Sequence, residues 1–302
     1  MSEQKNKVQG VFFLVFVNVM WGLSFIFSKT ALSEGLPSMT LAFLRYIMTI
    51  IILIPLCLKK EGGIRLYRWA PMGLLTTMLG VTVYFFFEYE GLKRTTASVA
   101  SLILALVPMM TLLYRVLFQR ERISALRWGC VAASLIGVFL VIQADAGEGA
   151  GSLVGNLLMV AACLCWTGYI LVSPPLLKAC SSLRVTTWQA VCGTLSLLPF
   201  ALAEREQWVS LSVKAWLCIF ALAAICSALC YVLYGIAIRH VDSLTVSLSI
   251  NINPIAACIA GGLFLGEALT GLQLVGGIMI MMAVLLDSLE STGVLNPAKN
   301  EG

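Results

Sequence analysis

The chain has 302 residues, of which 60% are hydrophobic and only 12% charged, with a mean hydropathy of +0.94. Soluble domains carry about a quarter charged residues, so a water-soluble fold is excluded and the composition predicts an integral membrane protein. The net charge of +5 is dispersed over short connections, which excludes a nucleic-acid partner, and connections of about a dozen residues leave no room for a nucleotide-hydrolysing module.

Crossing about 30 Å of hydrocarbon at 1.5 Å per residue takes roughly 20 apolar residues. Ten such spans are predicted, at 10–29, 38–58, 69–91, 95–118, 125–143, 153–173, 185–203, 214–237, 243–265 and 271–290. A polar start, Met1–Lys7, leads into a long first run that contains Asn18, which is not the plan of a cleaved signal peptide. Pro108 and Pro254 fall inside the fourth and ninth spans, where each removes a backbone hydrogen bond and predicts a kink facing the bundle interior. Beyond those spans stand Glu121 and Glu267, each three residues before a hydroxyl residue, Ser124 or Thr270, that suits a helix cap; both glutamates read as end-of-helix devices. The Gly-rich stretch 144–152 reads as an outer linker. Ten cysteines, mostly inside apolar spans and without a C-x-x-C pair, read as packing residues, and a lone His240 builds no metal site; no cofactor is expected.

Lys and Arg are retained on the cytoplasmic side of short loops. With the N-terminus inside, fourteen basic residues fall on inner segments, among them Lys59, Lys60, Arg120, Arg122 and Arg184, against five outside: Lys29, Lys93, Arg94, Arg205 and Lys214. Both termini are therefore expected in the cytoplasm, with the chain in a plasma membrane, the bacterial inner membrane being favoured because no asparagine begins a glycosylation sequon.

The spans form one unit written twice. W-G-L-S-F-I-F at 21–27 is echoed by W-T-G-Y-I-L-V at 166–172, Leu44-Arg45 to Pro55 by Trp188-Gln189 to Pro199, and L-V-P-M-M at 106–110 by I-N-P-I-A at 252–256, at offsets of 144 to 146 residues. Five spans per unit is an odd number, so the second copy enters the membrane from the opposite side. The expectation is an all-α integral membrane protein of ten transmembrane helices in two inverted five-helix repeats, 1–147 and 148–292, with a polar tail at 293–302.

The W-G start of the first span, Arg45 in L-R-Y, the L-K-R-T-T-A-S entry to the fourth span, the mid-helix prolines and the repeated E-x-I/L-S/T motif resemble the drug/metabolite transporter superfamily, in its EamA-type branch. The resemblance covers nearly the whole chain. It implies movement of small metabolites, amino acids or drugs, usually outward and without ATP hydrolysis. The second half departs from the first at Gln189, which stands where Arg45 does, and at Ile236, which stands where Glu90 does.

Charged groups within hydrocarbon are costly and mark functional positions. Arg45 and Glu88 lie at similar depths and are expected to approach one another on the cavity side, either as a structural ion pair or with Glu88 taking up protons. Helical spacing places Tyr84 with Glu88 on one stripe, Ser227, Tyr231 and Tyr234 on another, and groups Asn18 with Trp21 and Trp166 with Tyr169; Asn251 needs a hydrogen bond if buried. Asn18, Trp21, Arg45, Tyr84, Glu88, Trp166, Tyr231, Tyr234 and Asn251 are thus the expected substrate-binding residues, forming aromatic walls with a few amide and hydroxyl contacts. For Trp21 and Trp166, plain interhelix packing competes with solute contact.

The function read from these features is a secondary transporter exporting small organic solutes by alternating access, in contact with membrane lipids and as a monomer or weak homodimer. An enzyme acting on a lipid-linked substrate would need carboxylates, histidines or basic groups clustered at one interface, and the sequence has no such cluster. A non-transporting assembly subunit would have no use for an inward Arg45, Glu88 and Asn251.

Overall fold

The computed structural model describes residues 2–145, 150–237, 240–241, 245–246 and 249–291. The expected repeat junction at 147/148, the tail at 293–302, and Arg239, Asp242 and Ser247 lie outside the described residues. All described regular structure is helical. Among the described residues, nine helices are long and apolar enough to span a membrane: α1 (Asn6–Ser33), α2 (Ser38–Glu61), α3 (Tyr67–Arg94), α4 (Ala97–Gln119), α5 (Ala125–Ala144), α6 (Leu153–Ala179), α7 (Ser182–Ala203), α8 (Val213–Ala237) and α10 (Gly271–Ser291); α9 (Ile252–Leu265) is a shorter apolar helix in the place of the ninth span.

Contacts at the helix ends establish the inversion. Glu204, at the end of α7, accepts hydrogen bonds at the start of α2, from Met39 and Thr40 N–H at 3.2 and 2.8 Å. At the other end of the same pair Arg184 Nη2 lies 3.2 Å from Glu61 Oε2. Repeat-equivalent helices α2 and α7 therefore run antiparallel. So do α5 and α10, where Arg127 Nε meets Asp287 Oδ1 at 2.6 Å. We call the face holding the ends of α1, α3, α7 and α9 distal, and the face holding the start of α1 proximal.

The halves interlock: α1 packs on α8 and α9, while α6 packs on α3 and α4. In lipid, helices gain little from hydrophobic burial against each other, so close packing and interhelix hydrogen bonds hold the bundle. Glycines permit that approach. A methyl at Gly137 would lie 2.7 Å from Gly276 O, and one at Gly91 2.9 Å from Gly155 O. Large apolar groups such as Phe12, Phe118 and Leu263 cover the outside.

Both prolines sit at helix breaks. Residues 105 and 106 form a turn within the fourth span, after which the helix resumes at Val107 with Pro108 in its first turn, where the missing N–H costs nothing. Residues 250 and 251 form the equivalent turn ahead of α9 and Pro254. The break in the predicted span 243–265 falls ahead of the proline: Ser249 Oγ donates to Val246 O at 2.7 Å, Asn251 lies in the turn, and the helix begins at Ile252. A second feature, absent from the sequence reading, is a pair of π-helical turns at equivalent places, Met78–Thr82 in α3 and Leu222–Leu229 in α8.

Candidate functional site

A hollow lies where α2, α3, α6, α7 and α8 meet. It is lined by Tyr46, Thr49, Gly80, Val81, Trp166, Tyr169, Thr186, Gln189, Ala190, Ser227 and Tyr231. No charged side chain belongs to this lining. The space admits about one water, so the two halves are drawn together in this conformation. Gly80 makes the narrowing possible, since a methyl there would lie 2.6 Å from Tyr169 Cδ2.

The buried charges sit beside the hollow. Arg45, 5% exposed, donates from Nε to Ser227 Oγ at 2.8 Å and from Nη1 to the Tyr89 hydroxyl at 3.0 Å, and its guanidinium carbon lies 4.7 Å from the Phe85 ring centre. Glu88, 4% exposed, is hydrogen-bonded by Tyr84, while its Oε2 has no hydrogen-bond partner. Arg45 lies near enough to Glu88 to act on it electrostatically, as their similar depths suggested, but the structure shows no salt bridge between them within 4.0 Å among the described residues. The cause is angular. Phe85 and Tyr89 share one stripe of α3 and take the guanidinium, while Tyr84 and Glu88 share the neighbouring stripe.

Two tryptophans at equivalent positions brace the hollow from opposite halves. Trp21 has its ring 5.6 Å from Tyr231 and 5.5 Å from Tyr234, and Trp166 has its ring 5.0 Å from Tyr84 and 4.9 Å from Tyr169. The widened turn of α8 presents backbone carbonyls to its neighbours. Trp21 Nε1 donates to Cys226 O at 3.1 Å, and Thr49 Oγ1, which donates to Arg45 O at 2.8 Å, lies 3.3 Å from Ala223 O. These contacts of Trp21 are interhelix packing, and its side chain is not part of the hollow's lining.

Of the expected residues, Trp166 and Tyr231 line the hollow; Trp21, Arg45, Tyr84, Glu88 and Tyr234 form the layer of side chains behind it. Asn18 lies apart, donating to Leu14 O at 2.9 Å and Ser249 Oγ at 3.1 Å, and so ties α1 to the segment before α9. Asn251 stands half-buried in the turn before α9, outside the lining. Sequence reasoning missed Tyr46, Tyr89 and Thr49, and treated Gln189 only as a departure. Thr49 was within reach, being one helical turn from Arg45 on the same stripe. Gln189 lines the hollow and donates to Thr76 Oγ1 at 2.9 Å.

The distal face is closed by carboxylates of one half seated on helix starts of the other. Besides Glu204 on α2, Glu267 accepts from Ala97 and Ser98 N–H at 2.8 and 2.9 Å at the start of α4. Glu34 accepts from Ser212 N–H at 2.8 Å at the start of α8, and those Ser212 bonds hold its carboxyl below the usual carboxylate range. The end-of-helix reading of Glu267 is thereby extended across the repeats. Glu121 instead pairs with Arg115 at 2.7 Å and Arg127 at 3.5 Å on the proximal face. Ser124 and Thr270 cap their helices as expected, accepting from Arg127 and Gln273 N–H at 3.2 Å each.

The chain is similar to named transporters and to a solved structure. An S-adenosylmethionine/S-adenosylhomocysteine transporter of Chlamydia trachomatis is 28% identical, over 89% of this chain and 86% of its own length. A probable terminal-alkyne amino-acid exporter of Streptantibioticus cattleyicolor is 26% identical over 78% of each chain, and a probable amino-acid metabolite efflux pump of Salmonella typhimurium 23% identical over 91% and 93%. A protein crystal structure superposes with a TM-score of 0.65 at 18% identity, covering 94% of this chain and 98% of the other, which shows a shared fold. Residues 8–143 and 153–289 each match the same family, once per inverted half. The chain therefore belongs to the EamA-like transporter family and is a multi-pass membrane protein of the secondary-transporter kind.

Proposed function

We propose that this protein exports small organic solutes, amino acids, related metabolites or amphipathic drugs, across a bacterial plasma membrane by alternating access, without chemical change to the solute. The observation that carries the proposal is the hollow itself, a narrow space between inverted halves walled by Trp166, Tyr169 and Tyr231 and furnished with Thr49, Thr186, Gln189 and Ser227. Such a lining suits an amphipathic solute, not a phosphorylated one, for which several pocket cations would be needed. The relatives named as an amino-acid exporter and a metabolite efflux pump support both the solute class and the outward direction. Asn18, Trp21, Arg45, Tyr84, Glu88, Trp166, Tyr231, Tyr234 and Asn251 are proposed to bind or position the solute in the course of the cycle.

The excess of basic residues on the proximal connections supports a cytoplasmic proximal face, with both termini inside. In that orientation the conformation described here is closed to the exterior. Glu88, with one carboxylate oxygen unpartnered, is the proposed site of proton coupling. The test is an untargeted comparison of metabolites retained by cells with and without the chain, followed by exchange of the identified solute in proteoliposomes. Depletion of specific small solutes by the chain supports export; identical metabolite pools and no exchange refute it.

A further inference from the structure

We infer that the segment 59–69, where α2 passes into α3 on the proximal face, binds the phosphate headgroup of an anionic phospholipid through Lys59, Lys60, Arg65 and Arg68, with Tyr67 and Trp69 as interfacial anchors. Lipid binding here is independent of which solute is carried.

Glu61 is the one carboxylate in that segment, and it is already taken by Arg184 of α7, whose Nη2 lies 3.2 Å from Glu61 Oε2. Lys59, Lys60, Arg65 and Arg68 are exposed and make no hydrogen bond or ion pair among the described residues; Arg68 rests on the Trp69 ring, its guanidinium carbon 5.7 Å from the ring centre. Lys59 and Lys60 sit in the last turn of α2, where a cation favours the helix dipole. Arg65 and Arg68 stand at the start of α3, where the dipole works against a cation. Helix stability therefore does not account for them. The other basic group of this face, Arg115, Arg120, Arg122 and Arg127, is interleaved with three carboxylates, Glu121, Asp287 and Glu290. The segment 59–69 with Arg184 sets five cations against one carboxylate.

The fold holds this charge outward. Gly62 ends α2 in the left-handed region at φ +68, and the chain runs on to bury Leu66 against Leu176 and Val185. Pinned at Leu66, the segment leaves Arg65, Tyr67 and Arg68 exposed on either side of it. Tyr67 is 76% exposed yet held at φ +49, a conformation that a bulky side chain adopts at a cost. Strain of that kind is found at ligand clamps. Leu58, Leu74 and Leu75, also exposed, offer the adjoining helix surface to acyl chains. Tyrosine and tryptophan rings settle at headgroup level, and basic clusters beside a membrane helix attract anionic lipid. Guanidinium groups add paired hydrogen bonds to phosphate oxygens.

The test is native mass spectrometry of the full-length chain in detergent micelles, titrated with dioleoylphosphatidylglycerol, dioleoylphosphatidylcholine or inorganic phosphate, with thermal unfolding followed alongside. Phosphatidylglycerol is expected to stay bound and to raise the unfolding temperature at concentrations where phosphatidylcholine and phosphate do neither. Each cation removed is expected to weaken the anionic lipid about fivefold. Arg65→Gln with Arg68→Gln should thus lower its affinity at least about tenfold, whereas Arg120→Gln with Arg122→Gln should change it less than about twofold. Should the first pair fail to fold, Lys59→Gln with Lys60→Gln takes its place with the same expectation. Equal loss in the two paired variants would show a general attraction of basic connections for anionic lipid and overturns the site. Phosphatidylcholine binding as tightly as phosphatidylglycerol overturns it too, as does inorganic phosphate displacing the lipid.

Discussion

Glu267 grips Ser98 twice, accepting from its backbone N–H at 2.9 Å and from its hydroxyl at 2.7 Å, so that the end of α9 in one half closes the start of α4 in the other. Glu204 does the same for Thr40 on α2, at 2.8 Å from both N–H and hydroxyl. Charge-assisted caps of this kind contribute about 1 kcal/mol each. Glu267→Gln and Glu204→Gln are therefore expected to raise hydrogen exchange at 97–104 and 39–46 respectively by about fivefold, as read by mass spectrometry. Unchanged exchange in both variants would deny that these carboxylates hold the distal face shut.

Glu34 supplies a pH dependence of known sign. Its carboxyl is held below the ordinary value by Ser212, so the contact is fully present at neutral pH and is lost as the pH falls through that lowered value. Exchange protection at 212–216, corrected for the intrinsic rate, is expected to fall on acidification in the native chain. In Glu34→Gln the same segment is expected to show no such step.

The hollow's size depends on a single absent methyl. Gly80→Ala would push a Cβ to within 2.6 Å of Tyr169 Cδ2, and overpacking of this sort costs about 1 to 3 kcal/mol. A lowered unfolding temperature together with lost solute exchange is expected. Gly129→Ala, with nothing within 4 Å of the added carbon, is the control and is expected to retain both.

Much of this fold was legible in the sequence because the membrane imposes its own ruler: runs of sufficient apolar length gave nine helices and the place of the tenth, and the 144 to 146 residue echo required inversion. Pro108 and Pro254 located the broken helices because proline cannot donate. The partner of Arg45 was not legible. Ser227 lies 182 residues away, and depth alone could not tell which stripe of α3 would face the guanidinium. Nor could the sequence reveal the π-helical turns, which leave no apolar period of their own, or that Glu267 would cap a helix of the opposite repeat.

Those π-helical turns yield a further prediction. Trp21, from α1, donates to a carbonyl in the widened turn of α8, and the Thr49 hydroxyl, from α2, shares its one hydrogen between Arg45 O at 2.8 Å and Ala223 O of that turn at 3.3 Å. Trp21→Phe and Thr49→Val each remove one donor, costing about 1 kcal/mol. Because both act on one turn, the double variant's thermal destabilisation is expected to differ measurably from the sum of the two. Strict additivity would show that the turn is rigid without them.

The central claim, that a hydrated hollow between inverted halves carries the solute, is tested most directly by thiol labelling at Thr49. In a chain whose native cysteines are replaced, Thr49→Cys is expected to react with a membrane-impermeant maleimide and to be protected by the transported solute, whereas Leu135→Cys, on the lipid-facing side of α5, stays inert. A Thr49→Cys chain that is folded yet inert from both sides of the membrane would contradict the account.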